Sequence, residues 1–225
     1  MKVKINESQY KMLTEAAMPG FRLDYLRSKG GSYKDMLKYC LEMFGEPIGA
    51  GSSRIVFQID DETVLKLAGN EKGIAQNKEE MRIGLNSGLE FVPKIFNGSD
   101  EKEGLWIISE YVLPAIKGDF RKVFGIKFDD ISMYAFYLQN SRSSYDSEYY
   151  LGRAKSVTDD YNWCVMGIKL LKEMETLFKE YGSMIGDLTQ LANWGMCRRN
   201  GKTYMVMLDA GCSQEVYNIY YRIRF

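Results

Sequence analysis

Three polar residues near the end of the sequence have the chemistry of a metal site. Asp187 and Asn193 stand six positions apart, and Asp209 follows an apolar run. Asn200-Gly201 is a strong signal for a two-residue hairpin turn, and a hairpin built on it places Asn193 beside Asp209 at the open end of the ribbon. Mg²⁺ prefers hard oxygen ligands, which two carboxylates and an amide supply. The alternative is that these side chains only cap turns and helices.

A second group of polar residues could hold a phosphate. Gly49 and Gly51 lie in a turn that runs into a predicted strand, and Lys66 lies in the strand after it. Glycines let a backbone approach a phosphate closely, and an ammonium group can hold its oxygens. Glu80 or its neighbour Glu79, on the next predicted helix, could fix the lysine through an ion pair. The structural alternatives are an ordinary β-turn, a lysine at a sheet edge and a solvated helix face.

Hydrophobic periodicity predicts the elements that must carry these residues. Segments with strand periodicity, with one helix among them, occupy the middle of the chain, and helices precede and follow them. A hairpin turn at Asp61-Glu62 would pair Lys66 with Phe57, and a polar stretch at 141–150 is predicted to be a loop. The predicted strands are 55–59, 63–67, 91–96, 105–112, 194–199 and 202–208, and the predicted helices are 6–17, 32–44, 74–85, 129–140 and 159–181.

The composition excludes several classes of function. The chain is 45% hydrophobic, with thirty basic and thirty acidic residues, which is typical of a globular protein without a net charge to attract nucleic acid or an anionic membrane. No histidine is present, which excludes histidine-dependent nucleophiles and histidine zinc ligands. The four cysteines form no close pair, so we expect free thiols. Since neither a signal peptide nor a transmembrane run is seen, we expect a cytoplasmic protein.

The polar residues, taken in order, resemble the motifs of the protein-kinase-like superfamily, and the chain looks like the short kinase-like proteins that some bacteriophages encode. The resemblance runs from about Gly45 to Gly211 and rests on Gly49-Ala50-Gly51, Lys66, Glu80, Gly186-Asp187-Leu188, Asn193-Trp194-Gly195 and Leu208-Asp209-Ala210-Gly211. It implies an α+β fold of two lobes. We expect an N-terminal helical extension (1–44) packing on this fold, a β-rich nucleotide-binding lobe (45–113) and a truncated helical lobe (114–225).

The resemblance also implies how the first lobe would bind ATP. Gly49 and Gly51 would cover the triphosphate, and Lys66 would hold its α and β oxygens while Glu80 orients the lysine. The segment Glu110-Tyr111-Val112 would be the hinge that offers backbone groups to adenine. The host cytoplasm is the expected location if the protein is phage-encoded.

In the second lobe, the resemblance implies that Asp187 is the catalytic carboxylate and that Asn193 and Asp209 bind Mg²⁺. The expected function is therefore an ATP- and Mg²⁺-dependent phosphotransferase acting on a hydroxyl group. Its partners would be a nucleotide and an unidentified protein or small-molecule acceptor, without nucleic acid or membrane. Nucleotidyl transfer on the same fold is a variant of this hypothesis.

Several departures from the kinase pattern keep other functions open. Arg54 replaces the third glycine, Ile185 the usual histidine and Ala210 the phenylalanine, and the spacing from Asp187 to Asn193 is one residue longer. None of these changes removes a group that would do the electrostatic work, but they motivate an alternative, a catalytically inactive pseudokinase that binds proteins. A plain structural domain is a third possibility. Because the sequence continues only briefly past Gly211, we expect the N-terminal helices or a partner to complete the helical lobe.

Overall fold

The computed structural model describes residues 21–28, 32–100, 103–140 and 161–221. The described residues up to Lys78, together with Ile95–Tyr111, form one compact unit. Glu79–Lys94 and the described residues from Val112 onward form a second unit. Each unit therefore combines two separate stretches of chain. The predicted helix at 6–17 and the predicted loop at 141–150 lie outside the described residues.

Helices and antiparallel strands are both present, which confirms the α+β class. The described helices are α1 (Leu23–Ser28), α2 (Tyr33–Phe44), α3 (Glu71–Asn86), α4 (Lys117–Phe124), α5 (Phe128–Asn140), α6 (Tyr161–Lys179), α7 (Ile185–Leu188) and α8 (Gln214–Tyr220). The described strands are β1 (Gly49–Ala50), β2 (Arg54–Gln58), β3 (Thr63–Ala68), β4 (Ile95–Gly98), β5 (Trp106–Glu110), β6 (Leu113–Pro114), β7 (Trp194–Arg199) and β8 (Lys202–Met207). None of these helices has the length and apolar character needed to cross a membrane.

The first unit is built on a five-stranded antiparallel sheet in the order β1-β2-β3-β5-β4, with β3 at its centre. One face of this sheet carries Phe57, Leu65 and Ile108, which lie opposite one another on three neighbouring strands. All three side chains are fully buried in a single hydrophobic core. Burial of this face provides the main stabilisation of the unit.

Helices α1 and α2 cover that apolar face. Met36 and Cys40 of α2 are buried in the same core as the sheet residues. The predicted limits of α2 are confirmed, because Ser32 caps its start and Gly45, with a φ of 72°, ends it. We expected the N-terminal helices or a partner to complete the helical lobe; α1 and α2 belong to the first unit and pack on its sheet. An amphipathic pattern identifies the buried face of a helix but not the surface that it covers.

The predicted pairing of β2 with β3 was wrong by one residue. Lys66 lies opposite Val56, and Phe57 lies opposite Leu65. The Asp60 side chain sets the register by accepting hydrogen bonds from the backbone N–H groups of Glu62 (2.8 Å) and Thr63 (2.7 Å). Since neighbouring residues of a strand point to opposite faces, this shift places Lys66 on the face opposite the hydrophobic core.

A strand predicted at 91–96 is shorter than expected, and β4 begins only at Ile95. The preceding residues belong to the second unit, where Arg199 donates hydrogen bonds to the backbone oxygens of Glu90 (2.6 Å) and Val92 (2.8 Å). The backbone N–H of Met207 also donates to Phe91 O at 2.8 Å. Side-chain and loop contacts therefore replace the sheet pairing that the apolar residues predicted.

The second unit consists mainly of helices packed around aromatic and aliphatic residues. Phe120 and Phe124, one turn apart on α4, are fully buried and share a core with Leu170 and Trp194. The three-stranded sheet β6-β7-β8 lies in the same unit. Periodicity missed the short helices α1, α4, α7 and α8 and the two-residue strand β6, because elements of this length contain too few turns or alternations.

Candidate active site

Lys66 is a buried lysine at the centre of the first unit's sheet. Its strand, β3, pairs with β2 on one side and β5 on the other, and the residue is only 7% exposed. The interpretation of Lys66 as an edge-strand lysine facing water is therefore wrong. Gly49, Val56, Lys66 and Ile107 are successive partners across four strands. Since neighbouring strands lie about 4.8 Å apart, Gly49 is roughly 10 Å from the Lys66 backbone.

The glycine turn, residues 49–54, is a tight hairpin between β1 and β2. The N–H of Gly51 donates to the carbonyl oxygen of Arg54 at 2.9 Å, which closes the turn. Gly51 and Ser52 are exposed at its tip, whereas Ser53 is buried. The turn thus exposes backbone at the surface of the first unit. It connects β1 to β2, and β2 is the strand that pairs with β3, which carries Lys66.

Glu79 and Glu80, the two candidate partners of the lysine, have different environments. Glu79 accepts a hydrogen bond from Arg82 Nε at 3.0 Å and forms an ion pair with the same guanidinium group. Glu80 is buried, with 4% of its surface exposed. Glu79 therefore has an arginine partner on its own helix, and Glu80 has the burial expected of an internal carboxylate. The pairing of Lys66 with Glu80 remains a prediction.

The predicted hinge contains the point at which the chain leaves the first unit. Glu110 ends β5 opposite Thr63, and the N–H of Tyr111 donates to Glu62 O at 2.6 Å. The chain returns to the second unit at Val112. Ser109, just before the hinge, is on the same sheet face as Lys66, since it lies opposite Val64, two residues from the lysine. Its hydroxyl group is fully buried and has no hydrogen-bond partner among the described residues.

The structure brings Asp187, Asn193 and Asp209 together in the second unit. The Asn193 side-chain amide donates to Asp187 Oδ1 at 3.3 Å. The predicted hairpin register is confirmed from Trp194–Met207 to Arg199–Lys202, and the N–H of Leu208 donates to Asn193 O at 2.7 Å. Asp209 therefore directly follows the residue that bonds to Asn193, and its charge acts on Asp187.

Two short helical turns accommodate the extra residue between Asp187 and Asn193. Asp187 lies in α7, and a 3-10 turn at Leu191–Asn193 reverses the chain. The Asn193 amide also donates to the Asp187 backbone oxygen at 3.2 Å. Trp194 Nε1 donates to Leu188 O at 3.0 Å, which fixes the end of the loop in the core. The longer spacing therefore does not separate the two side chains.

The Asp187 carboxylate lies in an electrostatic environment that disfavours its charge. Burial and, secondarily, the nearby Asp209 carboxylate raise the pKa of Asp187 above its ordinary value. Hydrogen bonds from Cys212 and Asn193 act in the opposite direction but do not cancel this effect. A carboxylate with a raised pKa is a better proton acceptor, and a nearby cation would relieve the repulsion between the two carboxylates.

The donor set fits Mg²⁺ with few protein ligands. Asp209 and Asn193 supply a carboxylate and an amide oxygen, and phosphate and water oxygens would complete the coordination, as is usual for this ion. Among the described residues, no group of three or more histidine, cysteine, aspartate or glutamate side chains is arranged to hold a metal. A site made wholly of such side chains is therefore not found in this part of the chain.

Three side chains that contact the candidate site residues or the glycine turn were not singled out in the sequence. Cys212 donates a hydrogen bond to Asp187, and its backbone oxygen accepts one from the Met184 N–H at 3.2 Å. Gln76 and Asn77, both buried on α3, bond to the glycine turn and to β3. A sequence signal existed only for Cys212, which follows the Asp-Ala-Gly segment directly.

No family model and no curated protein matches the chain. Among solved structures, the streptomycin–ATP–APH(2″)-IIa ternary complex is 13% identical, with 81% of this chain and 70% of that chain covered and a TM-score of 0.32. The gentamicin–APH(2″)-IIa complex is also 13% identical, with 79% and 69% covered and a TM-score of 0.33. APH(2″)-IIa is an aminoglycoside phosphotransferase.

Proposed function

We propose that the protein is an ATP- and Mg²⁺-dependent phosphotransferase that acts on a hydroxyl-bearing acceptor. Lys66 and the backbone of Gly49 and Gly51 bind the triphosphate in this assignment, and Glu80 orients the lysine. The backbone of Glu110 and Val112 binds adenine. Support in the first unit comes from the burial of Lys66 in the central strand of the sheet.

The clustering of Asp187, Asn193 and Asp209 is the observation that carries the proposal. The Asn193 amide donates to Asp187 Oδ1 at 3.3 Å, and burial and, secondarily, the Asp209 carboxylate raise the pKa of Asp187. Such an arrangement costs stability, and it is typical of sites where a ligand or cation supplies the missing positive charge. Asp209 and Asn193 would hold Mg²⁺, which neutralises developing charge on the phosphate oxygens when bound.

The proposed reaction transfers the γ-phosphoryl group of ATP. The acceptor oxygen forms a bond to the γ-phosphorus while the bond from that phosphorus to the β–γ bridging oxygen breaks, and ADP leaves. Asp187 accepts the proton of the acceptor hydroxyl group. Asn193 keeps the Asp187 carboxylate oriented through the 3.3 Å hydrogen bond. Positioning and charge stabilisation provide most of the rate enhancement in such a reaction.

Release of ADP from ATP, with and without Mg²⁺, tests the proposal. Asp187→Asn and Asp209→Asn should each lower turnover by about 10²–10⁴-fold, the usual contribution of a catalytic base or charge-stabilising group. Asp129→Asn is the matched control, because Asp129 is an exposed carboxylate paired with the exposed Lys117. Turnover that survives Asp209→Asn would contradict the mechanism.

Thermal shifts with ATP separate an enzyme from a protein-binding module. We expect ATP with Mg²⁺ to raise the Tm of the wild-type protein and to raise it much less in Lys66→Met. If ATP and Mg²⁺ leave the wild-type Tm unchanged, the phosphotransferase proposal is wrong, and the protein-binding alternative replaces it.

A further inference from the structure

Side chains from the start of α3 hold the glycine turn. The Ser53 hydroxyl donates to Gln76 Oε1 at 2.6 Å, and both residues are buried. At the exposed tip, the Ser52 hydroxyl accepts from Lys72 Nζ at 2.8 Å, and the Ser52 backbone oxygen accepts from Asn70 Nδ2 at 2.9 Å. The turn is therefore attached to one helix at both its buried and its exposed residues.

Gly73 allows this helix to come unusually close to the turn. A Cβ atom at Gly73 would lie 2.2 Å from the Ser53 backbone oxygen and 3.0 Å from its carbonyl carbon. Because both atoms are backbone, a side chain at this position would force the turn or the helix to move. The present separation of α3 and the turn thus requires a glycine.

Asn77 extends the same attachment to the strand of Lys66. Its side chain is fully buried, and its amide donates to Gly104 O at 3.0 Å and, over a longer 3.5 Å, to Lys66 O. Its Oδ1 accepts from the Arg54 guanidinium group at 3.3 Å. One side chain thus links the end of the glycine turn, the β3 backbone at the lysine and the loop before β5.

We propose that Gln76 and Asn77 are positioning residues for ATP, which hold the glycine turn and Lys66 in their binding geometry before the nucleotide arrives. The inference rests on the proposed function. The contacts of these two residues end on Ser53, on Arg54, on the Lys66 peptide and on the loop at Gly104. A preordered turn loses less conformational entropy on binding, so the attachment strengthens ATP binding without touching the ligand.

Gly73→Ala, with Gly118→Ala as the matched control, tests the attachment. Both glycines lie in the first turn of a helix, but a Cβ at Gly118 would meet nothing within 4 Å. We expect Gly73→Ala to raise the Kd of Mg·ATP, measured by calorimetry, and the KM for ATP by about tenfold. We expect kcat to change less than KM, because the Asp187 cluster is untouched. Gly118→Ala should bind Mg·ATP like the wild-type protein.

Gln76→Met removes the hydrogen bond to Ser53 while nearly keeping the side-chain volume, and it should raise the Kd in the same way. Ile108→Val controls for a loss of stability alone, since Ile108 lies in the core on the opposite face of the sheet. We expect Ile108→Val to lower the Tm without changing the Kd. A merely structural role for Gln76 would give the two variants the same binding behaviour.

The outcomes distinguish the two proposals. If the wild-type protein binds Mg·ATP and both Gly73→Ala and Gln76→Met bind it equally well, the positioning inference is wrong and the phosphotransferase proposal stands. If the wild-type protein does not bind Mg·ATP, the proposed function fails and the inference fails with it. A higher Kd in Gly73→Ala and Gln76→Met, with the two controls unchanged, supports both.

Discussion

Around the glycine turn, the buried polar side chains have hydrogen-bond partners that suit them, such as the Gln76 carbonyl oxygen that accepts from the Ser53 hydroxyl. Around Asp187, burial and, secondarily, a second carboxylate raise the pKa of the side chain. The first arrangement stabilises the fold and fixes geometry. The second costs stability and suits a ligand that brings positive charge. The difference indicates where the molecule is organised for positioning and where it is organised for chemistry.

We expect the largest effect on stability from a substitution of Arg199. It tests whether the loss of stability in the second unit is limited to the two carboxylates, Asp187 and Asp209. Its buried guanidinium group bonds to two backbone oxygens and lies over the Tyr204 ring. Arg199→Lys cannot reproduce this forked geometry and should lower the free energy of unfolding by about 3 kcal/mol. Urea denaturation measures this change. Arg198→Lys is the control, because Arg198 is exposed. It should change the free energy of unfolding by less than about 0.5 kcal/mol.

Asn77→Ala tests the satisfied polar groups of the first unit. It leaves Gly104 O and the Arg54 guanidinium group without the partner shown here, and it opens a cavity. We expect a loss of about 2 kcal/mol in urea denaturation. Asn86→Ala is the control on the same helix, because Asn86 is exposed. Equal losses for the two variants would contradict a stabilising role for the buried network.

Asp187→Asn should stabilise the protein at neutral pH in the absence of metal and nucleotide. Because the folded state raises the pKa of Asp187, ionisation costs more in the folded than in the unfolded state. The cost is absent below the ordinary aspartate pKa, where both states are protonated. It grows as the pH rises through the folded-state pKa. We therefore expect a higher Tm for the variant at neutral pH and no difference in acid.

Asp129→Asn is the matched control for the chemical substitution, at an exposed carboxylate paired with Lys117. A Tm for Asp187→Asn below that of the wild-type protein at neutral pH would mean that the carboxylate cluster stabilises the fold, and the contrast between the two regions would disappear.

Ser32→Ala should have the smallest effect. Ser32 caps α2 by accepting a hydrogen bond from the Asp35 N–H over a long 3.4 Å. Loss of this cap should cost about 0.5 kcal/mol, at the low end for such residues. Ser32→Thr should retain most of the stability, since threonine also caps helices. A loss as large as that of Asn77→Ala would show that exposed hydrogen bonds matter as much as buried ones.

Sequence reasoning succeeded where one local signal sets the geometry. Asn200 and Gly201 have φ values of 52° and 74°, the positive values that their turn type requires, and the register of the whole β7–β8 hairpin follows. The β2–β3 hairpin has no Asn-Gly turn of this kind, and the Asp60 side chain sets its register. A side-chain hydrogen bond of this kind leaves no mark on hydrophobic periodicity, so the pairing of Lys66 could not be predicted.

Residue type and order in the sequence were enough to select the polar residues that would bind the ligands. They were not enough to identify the side chains that hold those residues in place. Nothing in the sequence distinguishes Asn77 from an exposed helix asparagine such as Asn86. Its partners at Arg54 and Gly104 lie 23 and 27 positions away. The burial of Glu80 likewise depends on tertiary packing. The pairing of Glu79 with Arg82 is different, because it is a local contact between residues three apart on one helix.

The way in which the chain alternates between its two units limits how the protein can be dissected. During synthesis on a ribosome, β3 emerges long before β5, the strand that completes its pairing at Thr63–Glu110. A fragment cut at residue 78 would leave that central strand as an open, aggregation-prone edge. A first unit with a complete sheet therefore needs residues 95–111 as well as the residues up to 78, and a simple truncation would not provide both.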